Sequence, residues 1–174
     1  MGMILLYIFL TFGIGLGTTE AYKVSELRTY YQKASKCPET GQSFHKYMAR
    51  YEGKEPVILG FKAVSEAVMA KHVWGPYSKL KHLKSSAALF DQAVTLDADN
   101  PEIRFLRYTV EYYIPRYLNM SSHVEQDKKI VMESLLKYPK SGLDAESYKL
   151  MRDFLLSSEH LNEAEKQQLR TIKT

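Results

Sequence analysis

A single cysteine, Cys37, excludes any disulfide within the chain, so stability has to come from packing and not from a covalent crosslink. Glycine and proline are scarce, 9 and 6 among 174 residues, which excludes a collagen-like or Pro/Gly-rich disordered chain. Charge of one sign is missing overall: 20 acidic residues stand among 24 basic ones for a net +4, a balance that argues against a general nucleic-acid binder. Locally the balance fails, because no charged residue precedes Glu20 and no acid occurs between Glu66 and Asp91. Low-complexity segments are absent, and the longest apolar run, Met3 to Leu16, falls short of the roughly 20 residues that span a bilayer.

That apolar run suits the core of a secretory signal peptide. Cleavage after Ala21 fits best, with Thr19 and Ala21 in the small-residue positions and Gly15 and Gly17 offering an earlier alternative. No Lys or Arg precedes the run, so a membrane anchor through residues 3–17 is the alternative, and membrane contact is expected only if the segment stays uncleaved. The expectation is an exported protein, periplasmic or secreted, with a signal peptide at 1–21 and one all-helical domain at 22–174. Cys37 in "KASKCPET" lies well beyond the apolar core and lacks the preceding small apolar residues of a lipid-attachment box. It reads as a cysteine at a helix end.

Beyond Ala21 no alternating stretch is long enough to suggest a sheet, and apolar residues recur at helical spacing instead. About eight helices are predicted, near residues 23–36, 39–52, 57–73, the stretch after "WGPYS" to Leu96, 101–114, 122–138, 144–158 and 162–172. On the third, Val57, Phe61, Val64 and Val68 make an apolar stripe beside the small residues Gly60, Ala63, Ala67 and Ala70, a combination that allows close helix approach. The fourth carries Leu80, Leu83, Ala87, Phe90 and Val94 with Leu89, Ala93 and Leu96 alongside, a width that predicts deep burial. Asn100, Pro101 and Glu102 supply a cap, a first-turn proline and a dipole complement for the fifth, whose core stripe is Ile103, Leu106, Val110 and Tyr113. Pro115 should end it near Ile114. Ser122 with Glu125, Asp144 or Leu143 after "PKSG", and Asn162 with Glu165 mark three further starts. Helices joined so closely form hairpins, and hairpins that cannot bury their own faces stack.

"SAALFDQAVTLDADNP" resembles the second helix and exit turn of a tetratricopeptide repeat through Phe90, Ala93 and "LDADNP". The resemblance covers about sixteen residues and implies stacked antiparallel helical hairpins in an irregular, tetratricopeptide-like all-α fold. A longer pattern, "KHVWGPYSKLKHLKSSAALFDQAV…NPEIRFLRY…YPKSGLDAE", is similar to that of small exported bacterial proteins, which implies export and helices but no activity.

Chemistry leaves no local signature. His45, His72, His82, His123 and His160 lie on different predicted elements, with no His-x-x-x-His or Cys-His spacing to put two ligands on one helical face. There is no Gly-x-Ser-x-Gly elbow and no phosphate-cradling glycine loop. No catalytic residue, metal ligand or cofactor is assigned, and Asn119-Met120-Ser121 is discounted as a chance glycosylation sequon.

Two candidate partner-binding surfaces remain. The first is "KHVWGPYSKLKHLK", where Lys71, His72, Lys79, Lys81 and Lys84 surround Trp74 and Tyr77 in the acid-free stretch. Lysines would steer an acidic partner segment or an anionic glycan or lipid head group, and the aromatics would supply contact area. The favoured reading is plainer, with Trp74 plugging the hairpin end and the lysines a solvated face. The second lies opposite the core stripe of the fifth helix, where Arg104, Arg107, Tyr108 and Glu111 neighbour one another and Arg107 can pair with Glu111. There Arg104 or Arg107 is as well suited to tying neighbouring helices through a carboxylate as to binding. Tyr112, Tyr113 and Tyr117 are expected to be partly buried, with hydroxyls at the rim.

The resulting expectation is an exported, non-enzymatic helical-repeat protein that binds or scaffolds another protein, with an acidic partner and no nucleic acid. The alternatives are a binder of a small amphipathic ligand, or an enzyme whose site is assembled from distant residues. An enclosed apolar cavity of several hundred Å³ with converging polar groups would favour the ligand; an open groove beside a solid core would favour the protein partner.

Overall fold

The computed structural model describes residues 22–157 and 159–172, so the signal peptide and its cleavage after Ala21 lie outside the described residues. Among the described residues there are eight α-helices: α1 (Val24–Ala34), α2 (Pro38–Ala49), α3 (Pro56–His72), α4 (Pro76–Leu96), α5 (Pro101–Glu111), α6 (Val124–Leu136), α7 (Ala145–Leu156) and α8 (Glu163–Thr171). One 3-10 turn, Arg116–Leu118, follows α5, and the described residues contain no strand. None of these helices is long and apolar enough to cross a membrane.

Proline does much of the punctuation. Pro38, Pro56, Pro76 and Pro101 each open a helix, where the missing N–H would have had no intrahelical partner anyway. Asn100 Oδ1 accepts from the Glu102 and Ile103 amides at 3.0 and 3.3 Å, Asp144 caps α7 through the Ser147 amide, and Asn162 with Glu165 closes a capping box on α8. Gly75, at φ 87, sits in the left-handed region just ahead of Pro76 and lets α3 turn sharply into α4.

Two local expectations fail for identifiable reasons. Ser122 does not cap α6; Glu111 reaches over from α5 instead, accepting from the His123 amide at 2.9 Å and contacting His123 Nδ1 at 2.8 Å. And α5 stops at Glu111, short of Ile114, because the Tyr113 and Ile114 amides tighten onto the Val110 and Glu111 carbonyls in three-residue turns ahead of Pro115. Tyr113 thereby leaves the core stripe and is 65% exposed.

Helices adjacent in sequence pack on one another from α1 to α4, and α3 is central, touching α1, α2, α4 and α5. Of the apolar stripe of α3, Phe61, Val64 and Val68 are buried as expected and Val57 is partly buried at the edge of the core. Gly60 faces α5, where a Cβ would stand 3.2 Å from Leu106 Cδ1, so the small stripe does set a close approach. Of α4, only Ser86, Phe90 and Ala93 are buried, and Leu96 is half exposed. The expected deep burial is not reached, since α4 lies at the outside of the stack against α3 and α5.

Two apolar clusters result. Residues of α1 to α4 close one of them with Ile103 and Leu106; residues of α6 to α8 close the other with Phe105 and Tyr108. Helix α5 contributes to both. Almost all of its residues are buried, a consequence of being covered on two faces by parts of the chain that precede and follow it.

Candidate functional site

The basic stretch at the α3–α4 turn divides into anchors and free groups. Lys71 donates to the Ser35 carbonyl at 2.7 Å, where its charge complements the helix dipole, and His72 Nε2 lies 3.0 Å from the Ala34 carbonyl, so both meet the carbonyl end of α1. These two hold the fold together. Trp74 does not plug the hairpin: it is 95% exposed, and Tyr77 is 82% exposed. The three-residue connection Val73 to Gly75 carries the indole past the ends of both helices, where no described side chain covers it. Lys79, Lys81 and Lys84 are exposed as well and form no ion pair among the described residues. Tyr77, Lys81 and Lys84 recur at helical spacing on the outer side of α4, while Lys79 projects from another side of its first turn.

The second expected surface is inside the molecule. Arg104, Arg107 and Tyr108 are all buried, because α6 and its successors cover the face of α5 that carries them. Asp127 of α6 is fully buried and accepts from Arg104 Nη1 at 2.9 Å and from Arg107 Nε and Nη2 at 2.7 and 2.9 Å. Arg104 Nε also donates to the Ala98 carbonyl at 2.7 Å. Burial opposes the Arg107 charge, yet the hydrogen bond and charge of Asp127 outweigh it and hold that guanidinium above its ordinary value. Arg107 thus ties to Asp127, and Glu111 is committed to His123. Tyr108 meets His160 Nδ1 at 2.9 Å, and burial lifts its phenol well above the ordinary range. These three residues are structural in place of forming a partner face. Tyr113 and Tyr117 are mostly exposed, against the expectation of partial burial, because the segment after α5 runs over the surface, whereas Tyr112, 37% exposed, is partly buried as expected.

A cleft of about 340 Å³ opens between α1, α5 and α7. Phe61, Phe105, Leu106, Met151 and Phe154 make its apolar wall, and Gln32, Lys36 and Thr109 stand among its polar lining. Arg28 bridges it, paired with Glu102 Oε1 at 2.7 Å, Asp144 at 2.9 Å and Glu146 at 3.1 Å. Its guanidinium is raised chiefly by the Glu102 hydrogen bond, against burial. Nothing in the sequence flagged Arg28, since its three carboxylates come from α5 and the start of α7.

The histidines do lie on different elements or connections, but the fold brings two of them together. His45 of α2 and His82 of α4 flank Glu66 of α3, with His45 Nε2 at 3.0 Å from Oε1 and His82 Nδ1 at 2.6 Å from Oε2. All three side chains are about a quarter exposed, and the two rings meet edge to face at 5.6 Å. Burial pushes the Glu66 carboxyl up, but the two imidazole hydrogen bonds prevail and hold it below the usual carboxylate range. No spacing motif announces this trio, because each helix supplies one member.

No protein-family model, curated protein or solved structure matches the chain.

Proposed function

We propose that the chain is an exported, non-enzymatic, tetratricopeptide-like protein that binds an acidic segment of a partner protein at the α3–α4 turn. One observation carries this reading: Trp74 and Tyr77 stand out in solvent beside lysines with no carboxylate of their own. An exposed large aromatic has no role in the core, and unpaired lysines next to it supply long-range steering. Rim lysines of this kind govern the association rate and its salt dependence, and a Trp buried on contact carries affinity.

Trp74 is the only tryptophan, so its fluorescence reports directly on the site. Titration with a poly-glutamate peptide should shift and quench the emission, less so as salt is raised. Reversing Lys79, Lys81 and Lys84 to Glu should abolish the response with little change in melting temperature. An unchanged affinity in that triple variant, or a response only to vesicles of anionic lipid, would overturn the acidic-protein reading.

The cleft between α1, α5 and α7 favours a second reading, a small amphipathic ligand whose chain lies on Phe105, Leu106, Met151 and Phe154 and whose anionic head reaches Lys36. Arg28 is already taken up by three carboxylates, so Lys36 is the cation left for the head group. A long-chain fatty acid should then bind the wild type by calorimetry and not a Leu150→Arg variant that blocks the mouth.

A further inference from the structure

We infer that His45, Glu66 and His82 form a binding site for a divalent transition-metal ion of the zinc class. Their ligand atoms, one from each of α2, α3 and α4, lie within 4.8 Å of one another. A tetrahedral zinc ion with bonds of about 2.0–2.1 Å holds neighbouring ligand atoms roughly 3.3 Å apart. The two nitrogen–oxygen separations, 3.0 and 2.6 Å, would open by about 0.3 and 0.7 Å. A metal ion would take the place of the protons the imidazoles now share with the carboxylate.

The donor set is selective. Two imidazoles and one carboxylate suit zinc, cobalt, nickel and copper and ill suit magnesium or calcium, which prefer all-oxygen shells. Each imidazole would ligate through the nitrogen that now faces Glu66, Nε2 of His45 and Nδ1 of His82, leaving the other nitrogen to carry the proton. The three side chains are partly exposed, which leaves a route for the ion and a fourth position for water. Nearby cations oppose binding only weakly. Lys62, one turn before Glu66, spends its ammonium on the Tyr51 carbonyl at 2.6 Å, and Lys81, next to His82 in sequence, is exposed to solvent. The two nitrogens converge on one carboxylate from separate helices, which brings all three ligand atoms within reach of a single ion.

The test uses the untagged full chain, stripped with a chelator and titrated with Co(II). Visible ligand-field bands should rise to one equivalent and be displaced by one equivalent of Zn(II), and Zn(II) should raise the melting temperature by tying three helices together. Glu66→Gln keeps the size and much of the hydrogen bonding, so it should fold and yet weaken Co(II) binding by more than about tenfold. His45→Gln, at a partly exposed position, should do the same, which guards against one variant failing to fold. Absence of the cobalt bands, or one-equivalent binding that persists in both variants, would overturn the inference.

Discussion

Truncating Asp127 to Ala should be among the most damaging single changes in this molecule. Its carboxylate is fully buried and receives three guanidinium N–H groups at 2.7–2.9 Å, one from Arg104 and two from Arg107. Without it Arg104 keeps only the Ala98 carbonyl, and Arg107 keeps only Asp91, at 3.7 Å and largely in solvent. Removing one partner of a buried ion pair leaves an uncompensated charge and costs about 3–5 kcal/mol. The loss is a large part of the roughly 5–15 kcal/mol that holds a typical domain together. At about 2–4 °C per kcal/mol for a chain of this size, the melting temperature should fall by roughly 6–20 °C.

Urea denaturation followed by helical circular dichroism measures the difference directly. Asp127→Asn should fall between wild type and Asp127→Ala, because the amide still accepts but carries no charge. Replacing all three residues together, with Arg104→Met, Arg107→Met and Asp127→Leu, should recover most of the loss, since the desolvation of the charges disappears with them. A loss below about 1 kcal/mol for Asp127→Ala would refute the reasoning, for it would mean that the arginines reach water and that α6 does not seal α5.

Phe90→Ala should cost about 3–5 kcal/mol in the same assay, since Phe90 is almost fully enclosed against α3 and α5; a surface-like effect would break the α3–α4 packing argument. Trp74→Ala should change stability by less than about 0.5 kcal/mol, and a loss of several would restore the discarded hairpin plug. His160 is buried and held below its ordinary value by desolvation, so the unfolded chain takes up the proton first on acidification. Its contribution is therefore intact above about pH 6.5 and lost as pH falls from there through the depressed folded value. Stability of a His160→Gln variant should decline less than wild type between about pH 7 and pH 5, and parallel profiles would remove His160 as a cause.

Helix number and placement were legible because their signals act within about a turn. Pro56 and Pro101 open helices for want of an N–H, Asn100 and Asn162 cap their own neighbours, and the α3 stripe through Phe61 and Val64 repeats at helical spacing. Ser122 shows where such reasoning stops. Glu111 arrives from another helix and accepts from the His123 amide, and α6 starts one residue later than a Ser122 cap would set it. Trp74 fails the same way, since its covering depended on whether any element extends past the α3–α4 turn, and none among the described residues does.

Helix α5 shows what a two-sided environment does to a one-sided pattern. Its strong amphipathic contrast placed Ile103 and Leu106 inward and Arg104 and Arg107 outward, which is sound for a helix with water on one face. Here α6 lies on that face, and the arginines are buried because α6 brings a carboxylate to meet them. The clue sits on α6 itself, where Asp127, Val131 and Leu135 recur at four-residue spacing, putting an acid on an otherwise apolar stripe. An ionised carboxylate is not buried alone. That acid therefore implies cations facing it, and Arg104 and Arg107, three apart on α5, are the pair that can reach one carboxylate together. The same logic locates the candidate metal site: Glu66 lies beside the buried Ser65 on the most enclosed helix of the first cluster, and a half-buried acid there demands donors, which His45 and His82 supply from either side.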